Sequence, residues 1–69
     1  MQQQYIREYP SGKILGIIET DTNGDQIARD FSTRMILGYY RARFDHTTDF
    51  HGRVIAKGNC VASLIFNKR

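Results

Sequence analysis

The first residues whose types and spacing could do chemistry form a short run of alternating oxygen ligands. Asp21, Asn23 and Asp25 have the spacing of the first ligands in an EF-hand calcium loop. That loop requires Gly at its sixth position and Glu at its twelfth, where this chain has Gln26 and Ser32. We therefore expect a hairpin turn at this point and no calcium site.

A second group has the atom types of a zinc site or of a nucleophilic centre, and its members are His46, Asp49, His51 and Cys60. Their spacing matches no common zinc site, and paired thiolates are missing. Cys60 is the single cysteine and opens an apolar segment, where we expect a buried, inert thiol. The sequence predicts no metal, no cofactor, no catalytic residue and no enzymatic activity.

Acidic residues precede three predicted turns. Glu8, Asp30 and Asp49 each stand before an aromatic residue at the point where an apolar run breaks. We expect these carboxylates to accept backbone N–H groups of the turns or to pair with basic residues on the outgoing strands, namely Lys13, Arg34 and Arg53.

Basic residues alternate with an aromatic one in the longest predicted strand, where Tyr39, Arg41 and Arg43 share a face. The full candidate face for nucleic acid or another partner comprises Arg34, Tyr39, Arg41, Arg43, Arg53 and Lys57. Cations and a stacking ring suit single-stranded nucleic acid. The alternative is a solvated face whose arginines oppose edge-to-edge aggregation.

Two apolar residues of the same face, Met35 and Leu37, are candidates for self-association. A single-sided sheet would leave them exposed, and a second copy of the chain would cover them. Sixty-nine residues bury a small core, and one cysteine excludes an intrachain disulfide, so a homodimer would also supply stability.

The elements that must position these residues repeat along the chain. Asp30-Phe31 and Asp49-Phe50 are each followed by Arg and Ile at identical offsets, and Glu8-Tyr9 opens a third copy. These repeats predict a single domain, 1–69, of three hairpin-like units at 3–20, 26–44 and 47–66. The expected fold is mainly β, as a small antiparallel sheet or a partly open barrel.

The predicted strands cover about 3–9, 13–20, 26–31, 34–44, 47–50 and 53–57. Asn23-Gly24 favours a type I′ turn. Alternation in the fourth strand assigns one face to the core, with Ile36, Gly38, Tyr40, Ala42 and Phe44, and turns Met35, Leu37, Tyr39, Arg41 and Arg43 to the other.

The tail fits a short helix or a last strand, and the helix is slightly favoured. Asn59 would cap it, and Val61, Leu64 and Ile65 would form its apolar stripe. Lys68 and Arg69 would lie near its carboxyl end.

Composition places the chain among globular proteins, with 41% hydrophobic and 25% charged residues. The net charge of +3 supports nucleic-acid binding only weakly. No apolar run approaches the roughly 20 residues of a membrane span, and no export signal is visible. We predict a cytoplasmic protein without a membrane partner.

The repeat units together resemble small uncharacterised proteins of bacterial mobile elements, such as phages and conjugative elements. The residues that carry this resemblance are 12–16, 29–31 with 36–40, and 49–59. Thr33-Arg34 departs from the Gly-Arg or Gly-Lys usual in such repeats. The resemblance implies a setting rather than a chemistry, in which short proteins bind host or element macromolecules.

Two functions follow as expectations from the sequence. The first is a non-enzymatic binding module that contacts a protein partner or a second copy of itself. The alternative is a nucleic-acid-binding protein that uses the basic and aromatic sheet face.

Overall fold

The computed structural model describes residues 2–66, which form six antiparallel strands and one helix. The strands are β1 (Gln2–Arg7), β2 (Ile14–Thr20), β3 (Gln26–Asp30), β4 (Ile36–Arg41), β5 (His46–Asp49) and β6 (Val54–Lys57). Helix α1 spans Val61–Phe66. The strands follow one another in the sheet in chain order. Within residues 2–66, β1 and β6 do not pair, so the sheet is open and the barrel alternative is not formed.

The three predicted units are three hairpins, each interrupted by a β-bulge at the same place. Leu15 in β2, Leu37 in β4 and Ile55 in β6 are the extra residues, because the register with the preceding strand shifts by one residue at each of these positions. A bulge adds one residue to one strand and increases its twist. The three hairpins therefore repeat the same backbone irregularity as well as the same sequence pattern.

The bulges change which side chains face the core. Leu37 packs against the core cluster, although strict alternation placed it with Tyr39 on the opposite face. That face assignment is wrong because the bulge shifts the alternation by one residue between Leu37 and Gly38. Phe44, assigned to the core, lies in the turn after β4 and is 60% exposed.

The core lies between α1 and one face of the sheet. Val61 and Ile65, one helical turn apart, are buried against Ile18 of β2 and Ala28 of β3. Leu64 packs partly buried beside them, so the predicted apolar stripe of the helix is confirmed. The prediction for Lys68 and Arg69 lies outside the described residues.

Two glycines let the helix approach the sheet. A Cβ on Gly16 would lie 2.8 Å from the Ile65 side chain, and one on Gly38 would lie 2.5 Å from Leu64 Cδ1. The same Gly38 Cβ would also collide with the backbone carbonyl oxygen of Thr48. Neither position has room for a side chain.

Thr47 fastens the segment before α1 to the sheet. Its side chain is fully buried. The hydroxyl donates to the Gly58 carbonyl at 2.6 Å and accepts the Cys60 N–H at 2.8 Å. Asn59 Oδ1 accepts the Val61 N–H at 3.3 Å, as expected for a residue that caps the helix.

Candidate interaction surfaces

The acidic residue that opens each repeat turn organises that turn. Asp30 Oδ2 accepts the Thr33 N–H at 2.9 Å and the Ser32 hydroxyl at 2.7 Å. Asp49 Oδ1 accepts the N–H groups of His51 and Arg53, both at 2.9 Å. The prediction that these acids accept turn N–H groups is confirmed for Asp30 and Asp49.

The hydrogen bonds to Asp49 also lower its pKa. The pKa of Asp49 lies below its ordinary value of 3.8, chiefly because the backbone N–H of Arg53 favours the ionised carboxylate.

Glu8 organises the first turn through a hydroxyl group instead of a backbone N–H group. Ser11 Oγ donates to Glu8 Oε1 at 2.9 Å and accepts the Lys13 N–H at 3.2 Å. Arg29 pairs with Glu19 at 2.7 Å and Arg41 with Asp25 at 3.7 Å. The positive charge of Arg53 also contributes to the lowered pKa of Asp49.

The three repeat turns differ in one important residue. Gly12 and Gly52 adopt positive φ angles of 76° and 87° immediately before the residue that closes the turn. Arg34 takes this place in the second turn, with φ at 64°. The third turn is one residue shorter, because Asp49 N–H bonds to the Arg53 carbonyl whereas Asp30 N–H bonds to that of Met35. Arg34 therefore corresponds to Gly52, and its match to Arg53 in the sequence is wrong.

The calcium-like run forms a hairpin turn, but of another type than expected. Gly24 N–H donates to the Asp21 carbonyl at 3.2 Å, and Gly24 has a φ of 87°. Asn23 does not have the positive φ that a type I′ turn requires at both central residues. A type I turn followed by a left-handed glycine describes it, and Asp21 Oδ1 accepts the N–H groups of Asn23 and Asp25.

Tyr39 and Arg41 lie together on the sheet face away from α1, as their alternation predicted. The Arg41 guanidinium lies 4.8 Å from the centre of the Tyr39 ring. Arg41 Nη1 is also 3.7 Å from Oδ2 of Asp25, which lies in the turn before β3. Arg43 lies in the next turn, where its guanidinium is 5.5 Å from the Phe44 ring. An acidic neighbour thus offsets the charge of the central arginine.

The six candidate residues of the basic face do not form one surface. Arg41, Arg43 and Lys57 lie at the end of the sheet where β4 turns into β5, because His46 pairs with both Arg41 and Lys57. Arg34 and Arg53 lie in the repeat turns at the opposite end. The guanidinium of Arg34 is 4.8 Å from the Phe31 ring rather than near Tyr39.

An apolar groove lies between the second and third hairpins. Met35, Ile36, Leu37, Phe50 and Leu64 line it, with Asp30 and Thr33 at its polar side. We call this set the apolar groove. Its volume is about 430 Å³, and its two most exposed apolar side chains are Met35 and Phe50, at 66% and 58% exposure. The structure therefore brings the two self-association candidates together, with Leu37 half-buried at the base.

Sequence reasoning missed Phe50 and Leu64 as members of the groove. The sequence pattern identifies Phe50 only as a recurring residue of the repeat and places Leu64 in the helix stripe. The repeat itself contains the signal for Phe50, because Phe31 lines the equivalent cavity between the first and second hairpins, with Lys13, Ile14, Leu15 and Ser32.

The residue types considered for catalysis and metal binding are not gathered. Within residues 2–66, no three His, Cys, Asp or Glu side chains group around a point that could hold a metal ion. Cys60 is half-buried rather than buried, with a free thiol. His46 stacks on Phe44 at a ring separation of 6.1 Å, and His51 packs on Phe50 at 4.0 Å.

Comparison with known proteins finds no matching family model, no matching curated protein and no matching solved structure. Among the described residues, no helix is long and apolar enough to cross a membrane.

Proposed function

We propose that this protein is a non-enzymatic binding module that acts by protein–protein contact through the apolar groove. The observation that carries the proposal is that Met35 and Phe50, two exposed apolar side chains, line the same groove. Large exposed apolar side chains that border a groove are characteristic of protein interaction sites. The setting that we propose is that of a mobile-element accessory protein acting in the cytoplasm.

The groove is suited to one apolar anchor of a partner. Its base consists of Leu37 and Leu64, which pack against the core and are held in place by it. Met35 is unbranched and flexible, so it can adapt to the shape of an inserted side chain. Burial of an aromatic or aliphatic anchor in such a pocket supplies much of the free energy of binding in many interfaces.

Affinity capture from cells of the source organism tests this proposal when groove variants are compared with a matched control. Met35→Asp and Phe50→Asp place a charge in the groove at exposed positions, and Phe44→Asp does the same at the other end of the sheet. We expect one protein, retained after nuclease treatment, to be captured by the wild type and by Phe44→Asp and lost with both groove variants. Equal capture by all four proteins would refute the groove as the binding surface.

A second candidate function, nucleic-acid binding, is favoured by the stacking of Arg41 on Tyr39 close to Arg43. If it holds, affinity for single-stranded DNA or RNA falls steeply with salt and is lost in the double variant Arg41→Ala with Arg43→Ala. Binding that is absent, or that does not respond to salt, excludes it.

A further inference from the structure

The two ends of the sheet are complementary halves of a contact that the chain already makes twice. Between the first and second hairpins, Ile14 and Leu15 form a cavity with Phe31, the aromatic residue of the next unit. Between the second and third hairpins, Ile36 and Leu37 form the equivalent cavity with Phe50. At both junctions, the aromatic residue of one unit therefore lines a cavity together with the bulged pair of the preceding unit.

At the β6 end, this contact lacks its second half. Val54 and Ile55 correspond to Ile14-Leu15 and Ile36-Leu37, because all three pairs include the bulged residue of their hairpin. They are 53% and 50% exposed, whereas the other two pairs are all half-buried. Within residues 2–66, no fourth unit follows to place an aromatic residue beside them.

At the β1 end, the opposite half is present. Tyr9 corresponds to Phe31 and Phe50, since each follows the acidic residue that opens a repeat turn. It is 94% exposed. The outer edge of β1 is also unpaired within the described residues, and from Gln2 to Ile6 it contains none of the charged residues or prolines that commonly protect sheet edges.

We propose that the protein associates head to tail, with β1 and Tyr9 of one copy docking on β6 and the Val54-Ile55 pair of the next. The occupant is a second copy of this chain. Within the described part of the chain, the β6 end lacks the neighbouring strand and aromatic residue, and the β1 end presents both of them. Such an interface is heterologous, so it builds rings where the rotation closes and filaments where it does not. It uses the sheet ends and leaves the apolar groove free, so it does not depend on the proposed function.

The internal junctions also specify the register. Gly16 pairs with Asp30, and Gly38 pairs with Asp49. The residue equivalent to these glycines in the third unit is Ala56, which would therefore lie opposite Glu8 of the second copy.

The next pair in this register opposes two like charges. Ile17 pairs with Arg29, and Tyr39 pairs with Thr48. By the same correspondence, Lys57 of one copy lies opposite Arg7 of the other. Like charges directly opposite each other weaken strand pairing, so the wild-type association is weak and strengthens with salt.

Lys57→Glu is therefore expected to convert this repulsion into attraction. At low salt, the association constant of the Lys57→Glu variant should exceed that of the wild type by roughly tenfold. Added salt should weaken the association of this variant. Sedimentation velocity across protein concentration and ionic strength measures both quantities. A wild type and a Lys57→Glu variant that both remain monomeric at millimolar concentration would overturn the proposal.

A mixing experiment in the Lys57→Glu background separates this interface from a symmetric one. Tyr9→Asp disrupts the β1 end, which we call the head, and Ile55→Asp disrupts the β6 end, which we call the tail. Both side chains are exposed, so the fold should tolerate either change, and circular dichroism checks this. Each variant alone should be monomeric, and an equimolar mixture should form a one-to-one heterodimer that grows no further. Phe44→Asp is the control and should still self-associate.

Two other results of the mixing experiment contradict head-to-tail docking. A mixture that remains monomeric, although Lys57→Glu alone associates, excludes the pairing of one head with one tail. Association that persists in Ile55→Asp alone indicates a symmetric pairing of β1 edges instead.

Discussion

Arg34 is the residue whose substitution tests the equivalence of the three turns most sharply. It has a φ of 64° in a place where the other two repeats have glycine. A left-handed conformation costs a non-glycine residue roughly 1–2 kcal/mol. Glycine avoids that cost. It also raises the conformational entropy of the unfolded chain, which lowers the stability of the folded protein by roughly 0.4–1 kcal/mol and so cancels part of the gain. We expect the free energy of unfolding of Arg34→Gly to exceed that of Arg34→Ala by about 1 kcal/mol.

The comparison with alanine isolates the backbone, because both substitutions remove the contact of the Arg34 guanidinium with the Phe31 ring. Urea unfolding followed by circular dichroism measures the difference directly. In a thermal melt, about 1 kcal/mol corresponds to roughly 4–8 °C for a domain of this size.

The control is the same pair of substitutions at Arg53, which is also exposed and directly follows a positive-φ residue without having a positive φ itself. At this position, the Arg53→Gly variant should be less stable than the Arg53→Ala variant. If Arg34→Gly is no more stable than Arg34→Ala, the backbone at this turn is not left-handed and the correspondence of Arg34 with Gly52 fails.

Three further changes probe the packing and the turns. Gly38→Ala should cost about 1–3 kcal/mol in urea unfolding, because its Cβ collides with the Thr48 carbonyl oxygen and with Leu64, and wild-type stability would contradict this close packing around Gly38. Thr47→Val should cost about 1–3 kcal/mol by leaving the Cys60 N–H without its acceptor, and an unchanged urea midpoint would show that Thr47 does not hold this segment. Since the folded pKa of Asp49 is lowered, its contribution is present above pH 3.8 and is lost as the pH falls through the folded value. Asp49→Asn should therefore lose less stability than the wild type between about pH 6 and pH 2.5, and equal losses would contradict the turn hydrogen bonds.

The sequence predicted the six strands because apolar alternation and turn residues agree along most of the chain. The terminal helix was favoured over a strand by the spacing of Val61 and Ile65, and both residues are buried against the sheet. Local patterns of this kind are visible in a sequence because they reflect the periodicity of each element by itself.

The bulges could not be predicted in this way. A bulge is decided by which backbone groups pair across two strands, and alternation within one strand contains no such information. Leu37 was therefore assigned to the wrong face. The third turn is one residue shorter than the second, and the identical offset of Arg34 and Arg53 concealed this difference.

The candidate site was only partly predictable for a similar reason. Tyr39 and Arg41 share a strand, so their common face followed from alternation. The apolar groove combines side chains from two hairpins and α1, and its members Met35, Phe50 and Leu64 are distant in the sequence. Only the order of the strands and the position of the helix bring them together.

Site-specific photocross-linking in cells of the source organism tests protein contact through the apolar groove most directly. A photoreactive phenylalanine analogue at position 50 lies in the groove, and the same analogue at position 44 lies at the other end of the sheet with similar exposure. We predict a discrete protein adduct from position 50 that Met35→Asp abolishes, and no such adduct from position 44. A nucleic-acid adduct from position 44, with none from position 50, would contradict the proposed function.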